Sequence, residues 1–116
     1  LVLDLESGKR SRWIPGLYRR NGYGQQDWLF CMLLNFGGRV GLHGRMDELL
    51  DHFYLAKTHP AAIHLKGVGL TPEGIENNPV MYELMTELPW RPKKMDKISW
   101  LNDYLFARYG TRDSII

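Results

Sequence analysis

The sequence predicts an α/β fold built on a small parallel sheet, and three observations predict it. Short apolar runs without strict alternation recur along the chain, as in strands covered on both faces. Amphipathic segments with helical spacing separate them. The runs and the helices alternate, and alternation of this kind builds parallel sheets with crossover helices. Three such strands with few helices do not cover both faces of a sheet. The chain therefore reads as a slice of a barrel plus the segment after it. It opens without a methionine, directly on a strand-like run, as the interior of a longer protein would.

In order, Leu1-Val-Leu-Asp-Leu5 reads as a short buried strand. Residues 7–26 are rich in Gly, Arg and Tyr, with Pro15-Gly16 and Asn21-Gly22 as turn signals. Trp13, Ile14, Leu17 and Tyr18 within them could cover a core edge. Trp28 to Leu34 is a continuous apolar run, read as a strand buried on both faces, although pattern and length do not exclude a buried helix. A Gly-rich loop, Asn35 to Gly44, comes next. Its spacing matches neither phosphate-binding glycine motif, so it reads as a tight turn beside a ligand rather than a nucleotide cradle.

Arg45 to Lys57 is the clearest helix, with Met46, Leu49, Leu50, Phe53 and Tyr54 on one stripe. His59-Pro60 stops it, because a residue before proline is driven out of helical geometry. Val68 to Leu70 reads as a strand that ends in the turn Thr71-Pro72-Glu73-Gly74, where Pro72 lacks a ladder donor. Asn78 and Pro79 have the order of an N-cap and a first helical residue. Val80, Met81, Leu84, Met85 and Leu88 then form an apolar stripe. Pro89 to Pro92 breaks this helix, and Lys93-Lys94 reads as a solvated linker. Asp96 caps a last helix from Lys97 to Tyr109, stopped by Gly110, with Ile98, Leu101 and Leu105 buried and Trp100 and Tyr104 widening the face.

The chain has 116 residues, enough for one small core. Net charge is only +2, and the one basic concentration, Arg10, Arg12, Arg19 and Arg20, comes with no nucleic-acid motif, so no nucleic-acid partner is expected. No apolar run approaches the roughly 18 residues of a helical membrane span, and no membrane partner is expected. A lone cysteine, Cys31, excludes an internal disulfide and reads as a buried inert thiol. His43, His52, His59 and His64 have no metal-ligand spacing, so neither metal nor cofactor is expected. Glu73 draws notice because it lies at a strand's C-terminal end, the edge where parallel α/β folds carry their sites. On spacing alone, a solvated turn glutamate is the default reading.

A resemblance sharpens that reading. Phe30-Cys-Met-Leu-Leu-Asn-Phe-Gly-Gly38, Gly41-Leu-His-Gly44 and Gly67-Val-Gly-Leu-Thr-Pro-Glu-Gly-Ile-Glu-Asn-Asn-Pro-Val-Met-Tyr82 closely resemble the alpha-N-acetylglucosaminidase glycosidases. Leu1 to Leu5 and Glu87-Leu-Pro-Trp-Arg91 extend the match over nearly the whole chain, weakest from Glu6 to Gln26. The resemblance implies a partial (β/α)8 TIM-barrel slice over residues 1–88. Residues 89–116 would be a linker and the first helix of an all-α domain. It implies a retaining exo-glycosidase that removes terminal α-linked N-acetylglucosamine from glycans, in a lysosome or, in bacteria, on host glycans. Glu73 matches the catalytic nucleophile, and Leu33, Asn35 and Phe36 match the loop lining the sugar pocket. Two positions depart from the family pattern: Phe30 stands where tryptophan is usual, and Leu34 where histidine is. The acid/base glutamate lies upstream of these residues, so the chain alone is expected to be inactive. A non-catalytic homologue that binds glycan, or scaffolds the helical domain, is the alternative.

Overall fold

The structure is a computed structural model, and it describes residues 1–6, 23–34, 44–75 and 77–110. Among these, three strands form one parallel sheet in the order β1-β2-β3, with β1 Val2–Glu6, β2 Trp28–Leu34 and β3 Leu65–Pro72. Helix α1 (Met46–Thr58) connects β2 to β3; α2 (Pro79–Glu87) and α3 (Lys97–Tyr109) come after β3. The loop from Asn35 to His43, the segment carrying Trp13, Ile14, Leu17 and Tyr18, and Glu76 lie outside the described residues.

Side chains divide between the two sheet faces by their position along each strand. Trp28, Phe30, Met32 and Leu34 of β2 are all buried and belong to one core with Leu49, Leu50, Phe53, Tyr54 and Ala56 of α1 and Met81, Leu84 and Met85 of α2. Phe30 meets Phe53 edge-to-face at 5.5 Å, a favoured arrangement of aromatic quadrupoles. The opposite face carries Leu29, Cys31 and Leu33 of β2, which pair in register with Gly67, Gly69 and Thr71 of β3. At Gly69 a Cβ would lie 2.8 Å from Cys31 Sγ, so only glycine lets the thiol sit between the strands there.

The third strand is longer than its sequence suggests. It starts at Leu65, absorbs one extra residue opposite the step from Trp28 to Leu29, and continues through Thr71 and Pro72. The expected stop at Pro72 fails for a geometric reason. The Glu73 N–H donates to Leu34 O (3.3 Å), so the odd positions there face β2. The Pro72 nitrogen points away from β2, where its missing donor costs no bond to that neighbour.

Helix α1 stops as expected, with His59 extended (ψ 132°) before Pro60. Asn78 does precede α2 with Pro79 at its start, but its side chain makes no capping bond. Helix α3 matches its expected bounds: Asp96 accepts from Ser99 N–H (2.7 Å), and Gly110 closes it at φ 71°. Its buried face is rotated from the expected one. Stacked Trp100 and Tyr104 are the buried pair, Leu101 and Leu105 are half-buried, and Ile98 is 42 % exposed. Trp100 Nε1 also reaches Glu87 Oε2 at 3.1 Å, anchoring the indole to the end of α2.

The Lys93-Lys94 linker is solvated in its side chains but tied down through both charge and backbone. Lys94 pairs with Asp51, the Tyr54 hydroxyl donates to Lys93 O, and Lys57 Nζ donates to Arg91 O at 2.7 Å. Lys97 Nζ completes the attachment on Asp47 at 2.8 Å. The acidic outer face of α1 thus holds the start of α3.

Candidate functional site

Two strand ends and one turn make the candidate site. Leu34 pairs with Pro72, so β2 and β3 finish side by side and in the same direction. Glu73 emerges one residue past β3, half-buried, and its N–H is held by the last carbonyl of β2. Two residues earlier the Thr71 hydroxyl donates to Met32 O at 2.9 Å, a second stitch between the same strands. Gly74 comes next at φ 74°, a left-handed conformation that side-chain-bearing residues disfavour. The chain therefore bends out of the extended strand path directly after the carboxylate. Asn77 Nδ2 donates to Gly74 O (2.9 Å), and the Tyr82 hydroxyl donates to Asn77 Oδ1 (2.5 Å), tying the turn to α2.

Of the four residues expected to form the site, two fall within the described structure. Leu33 is half-buried on the sheet face that carries Gly67, Gly69 and Thr71, and it pairs with Thr71 two residues before Glu73. Glu73 continues the odd positions of that strand. Asn35 and Phe36 lie outside the described residues, directly after the end of β2. The two departures from the family pattern point elsewhere. Phe30 (0 % exposed) and Leu34 (4 %) belong to the helix-facing core, on the face opposite Leu33 and Thr71.

Cys31 is buried on the glycine-bearing face, and burial pushes its thiol above the ordinary range, with the Asp4 carboxylate adding to the effect. A thiol held protonated is a poor nucleophile, which agrees with an inert reading. His59 and His64 line a groove with Gln25 and Ile63 near the start of β3, at the sheet edge opposite Glu73. His59 Nδ1 accepts from Ala61 N–H, and His64 faces Asp27 at 3.3 Å, so both have structural partners there.

Asn77 and Tyr82 are site residues that sequence spacing does not single out. Their separation matches no helical or strand neighbour rule, because Asn77 precedes α2 while Tyr82 lies within it. A tyrosine off the apolar stripe of a helix, just after a glutamate-bearing turn, is the signal that could have found them.

Residues 1–92 match the family model described as the alpha-N-acetylglucosaminidase TIM-barrel domain. The chain is 36% identical over 111 residues to human alpha-N-acetylglucosaminidase, covering 95% of the chain and 14% of that protein. It therefore spans about one-seventh of the length of that relative. Among solved structures it is similar to a family 89 glycoside hydrolase from Clostridium perfringens in complex with PUGNAc, with TM-score 0.74, 34% identity, and coverage of 97% of the chain and 12% of that enzyme. A Clostridium perfringens form with two glutamate-to-glutamine substitutions, bound to its substrate GlcNAc-alpha-1,4-galactose, matches at TM-score 0.73 and 33% identity, again over 97% of the chain and 12% of that enzyme.

Proposed function

The chain belongs to the alpha-N-acetylglucosaminidase family, and from that premise we propose that it supplies the nucleophile-bearing part of a retaining exo-glycosidase. The substrate would be a glycan ending in α-linked N-acetylglucosamine, such as heparan sulfate or a host glycan. Residues 1–88 would be the closing part of a (β/α)8 barrel, and residues 89–116 a linker and the first helix of an all-α domain. Glu73 would be the nucleophile, with Leu33, Asn35 and Phe36 lining the sugar pocket.

The observation that carries this reading is Glu73 at the C-terminal edge of a parallel sheet, held from β2 by the Leu34 carbonyl. Parallel barrels collect their chemistry at that edge. A Glu73 oxygen would attack the anomeric carbon as the glycosidic C–O bond breaks. The leaving oxygen would take a proton from a second carboxylic acid. Water, deprotonated by that same group, would then displace Glu73 and release the sugar with retained configuration. The second carboxyl must stand about 5–5.5 Å away, on another strand of the full barrel. This chain by itself would be inactive. The burial of Phe30 and Leu34 in the helix-facing core supports a retained activity over a non-catalytic homologue, because neither departure lies on the face of Leu33 and Thr71.

The test is Glu73→Gln in the full-length protein that carries these residues, assayed on an aryl α-N-acetylglucosaminide. The amide keeps the shape but cannot form the glycosyl ester. We expect kcat to fall by several orders of magnitude with substrate binding largely kept. With Glu73→Ala, azide should enter from the vacated side and yield the β-glycosyl azide. Near-normal turnover by Glu73→Gln, or a glycosyl label trapped on another carboxylate, removes Glu73 from the role.

A further inference from the structure

The turn that carries Glu73 is held very differently on its two sides. Before Glu73, the strand ladder fixes the backbone through the Leu34 carbonyl and the Thr71 hydroxyl. After Glu73, the next two residues bury no apolar side chain against the turn. Gly74 has no side chain, and Ile75 is 95 % exposed. Among the described residues, the Asn77 side-chain amide meets the turn from this side on the Gly74 carbonyl, with the Tyr82 hydroxyl on the other end of that amide.

We propose that Asn77 and Tyr82 are positioning residues for the Glu73 carboxylate, with Tyr82 holding the far end of the Asn77 amide so that it grips the Gly74 carbonyl. This rests on the reading of Glu73 as nucleophile. An asparagine amide has one accepting and one donating end, and the two are nearly the same size. Free to rotate, it could present its oxygen to the Gly74 carbonyl and push it away. The Gly74 carbonyl can only accept, so Nδ2 faces it at 2.9 Å; Oδ1 then accepts the Tyr82 hydroxyl proton at 2.5 Å, and this second bond holds the amide in that pose. Burial holds the Tyr82 hydroxyl protonated to above its ordinary range near 10.0, so it remains a donor throughout the neutral and acidic range.

The far end of this link is rigid. Tyr82 is flanked in α2 by Met81, buried in the core, and Leu84 and Met85 continue the same buried stripe. A Cβ on Gly44 would come within 2.7 Å of Met81 Sδ, so the segment leading into α1 closes against the same turn of α2. The core thus reaches the Glu73 turn through two hydrogen bonds. A nucleophile tolerates little misplacement, since a displacement of about 1 Å can cost on the order of 100-fold in rate.

The test uses the full-length protein, with Tyr82→Phe, Asn77→Ala, their double variant, and Asn77→Asp. Asn77→Asp keeps the acceptor for Tyr82 and loses the donor to Gly74. Tyr82→Phe should lower kcat about 10- to 100-fold while KM moves less than about threefold, because substrate contacts are untouched. The double variant should be no slower than Asn77→Ala, since the two residues act in series. Asn77→Asp should match Asn77→Ala. A kcat within about twofold of the parent for Tyr82→Phe, multiplicative losses in the double variant, or a loss that follows the folded fraction alone would overturn the proposal. Should Tyr82→Phe fail to fold, Asn77→Asp decides, and a normal kcat there overturns it. Glu73→Gln run alongside separates the two readings. If it turns over normally, both fall; if it is inactive while Tyr82→Phe and Asn77→Asp turn over normally, only the positioning role falls.

Discussion

The two faces of the sheet differ in how much of their structure this chain completes. On the helix-facing side, Phe30 is fully buried and Met32 and Leu34 nearly so, under α1 and α2. On the other side, Leu3 of β1 is 54 % exposed, Leu29 and Leu33 are half-buried, and β3 contributes Gly67 and Gly69. The same three strands therefore carry one finished core and one open surface. The barrel slice proposed for residues 1–88 would explain the contrast physically. Its outer face is covered by helices close in sequence, whereas its inner face is closed by strands from all around the ring. Stability accordingly rests on contacts the chain makes with itself, while the chemistry proposed for Glu73 needs partners from elsewhere in the barrel.

The largest expected effect tests this contrast directly. Phe30→Ala should destabilise by about 3–5 kcal/mol, because it empties a site packed against Phe53, whereas Leu3→Ala should stay within about 0.5 kcal/mol. Urea unfolding midpoints of the two variants in the 116-residue chain by itself, where Leu3 is exposed, measure it. Equal losses would abolish the distinction between a closed and an open face.

A smaller effect probes the open face from within. Gly69→Ala would drive a methyl into Cys31 Sγ, and overpacking of this kind costs about 1–3 kcal/mol. Adding Cys31→Ala should recover most of that loss, since the sulfur is the atom in the way. Thermal unfolding of the single and double variants reads the recovery. No recovery would mean that the strand spacing, rather than the thiol, demands glycine.

The smallest effect is in the pH dependence. Burial raises the Cys31 thiol above its ordinary value of 9.0 in the folded chain, so the unfolded chain loses that proton first. The contribution is fully present below pH 9.0 and is lost as pH rises from there through the folded value. Tyr54 and Tyr82, both raised by burial above 10.0, add to the same loss at higher pH. Stability should therefore fall on the alkaline side, and Cys31→Ala should delay the onset toward pH 10.0. Denaturant midpoints measured upward from neutral pH check the order. An onset unchanged by Cys31→Ala would mean that the thiol is open to water.

Local physics encodes part of this fold outright, and that part is legible in the amino acids alone. Apolar runs mark β1 and β2, the stripe from Leu49 to Tyr54 marks α1, and Asp96 and Gly110 mark the ends of α3, because periodicity and capping act over a few residues. Glu73 at a strand end is legible for the same reason, and its long surrounding motif points to the family. The rest is set by groups distant in sequence. Pro72 can remain in β3 because its nitrogen faces away from β2, which is a fact about neighbours. Leu34 belongs to the core rather than a pocket because the pleat turns even positions of β2 toward α1. The buried face of α3 centres on Trp100 because its indole packs with Tyr104 into the core while its N–H reaches Glu87, thirteen residues earlier. The Lys93-Lys94 linker is docked because Tyr54 and Asp51 wait on another helix. The amide of Asn77 is held at both ends because the Gly74 carbonyl accepts from it and Tyr82 reaches back across the start of α2 to donate to it. Each of these depends on which groups meet across the fold, and spacing along a chain does not contain that.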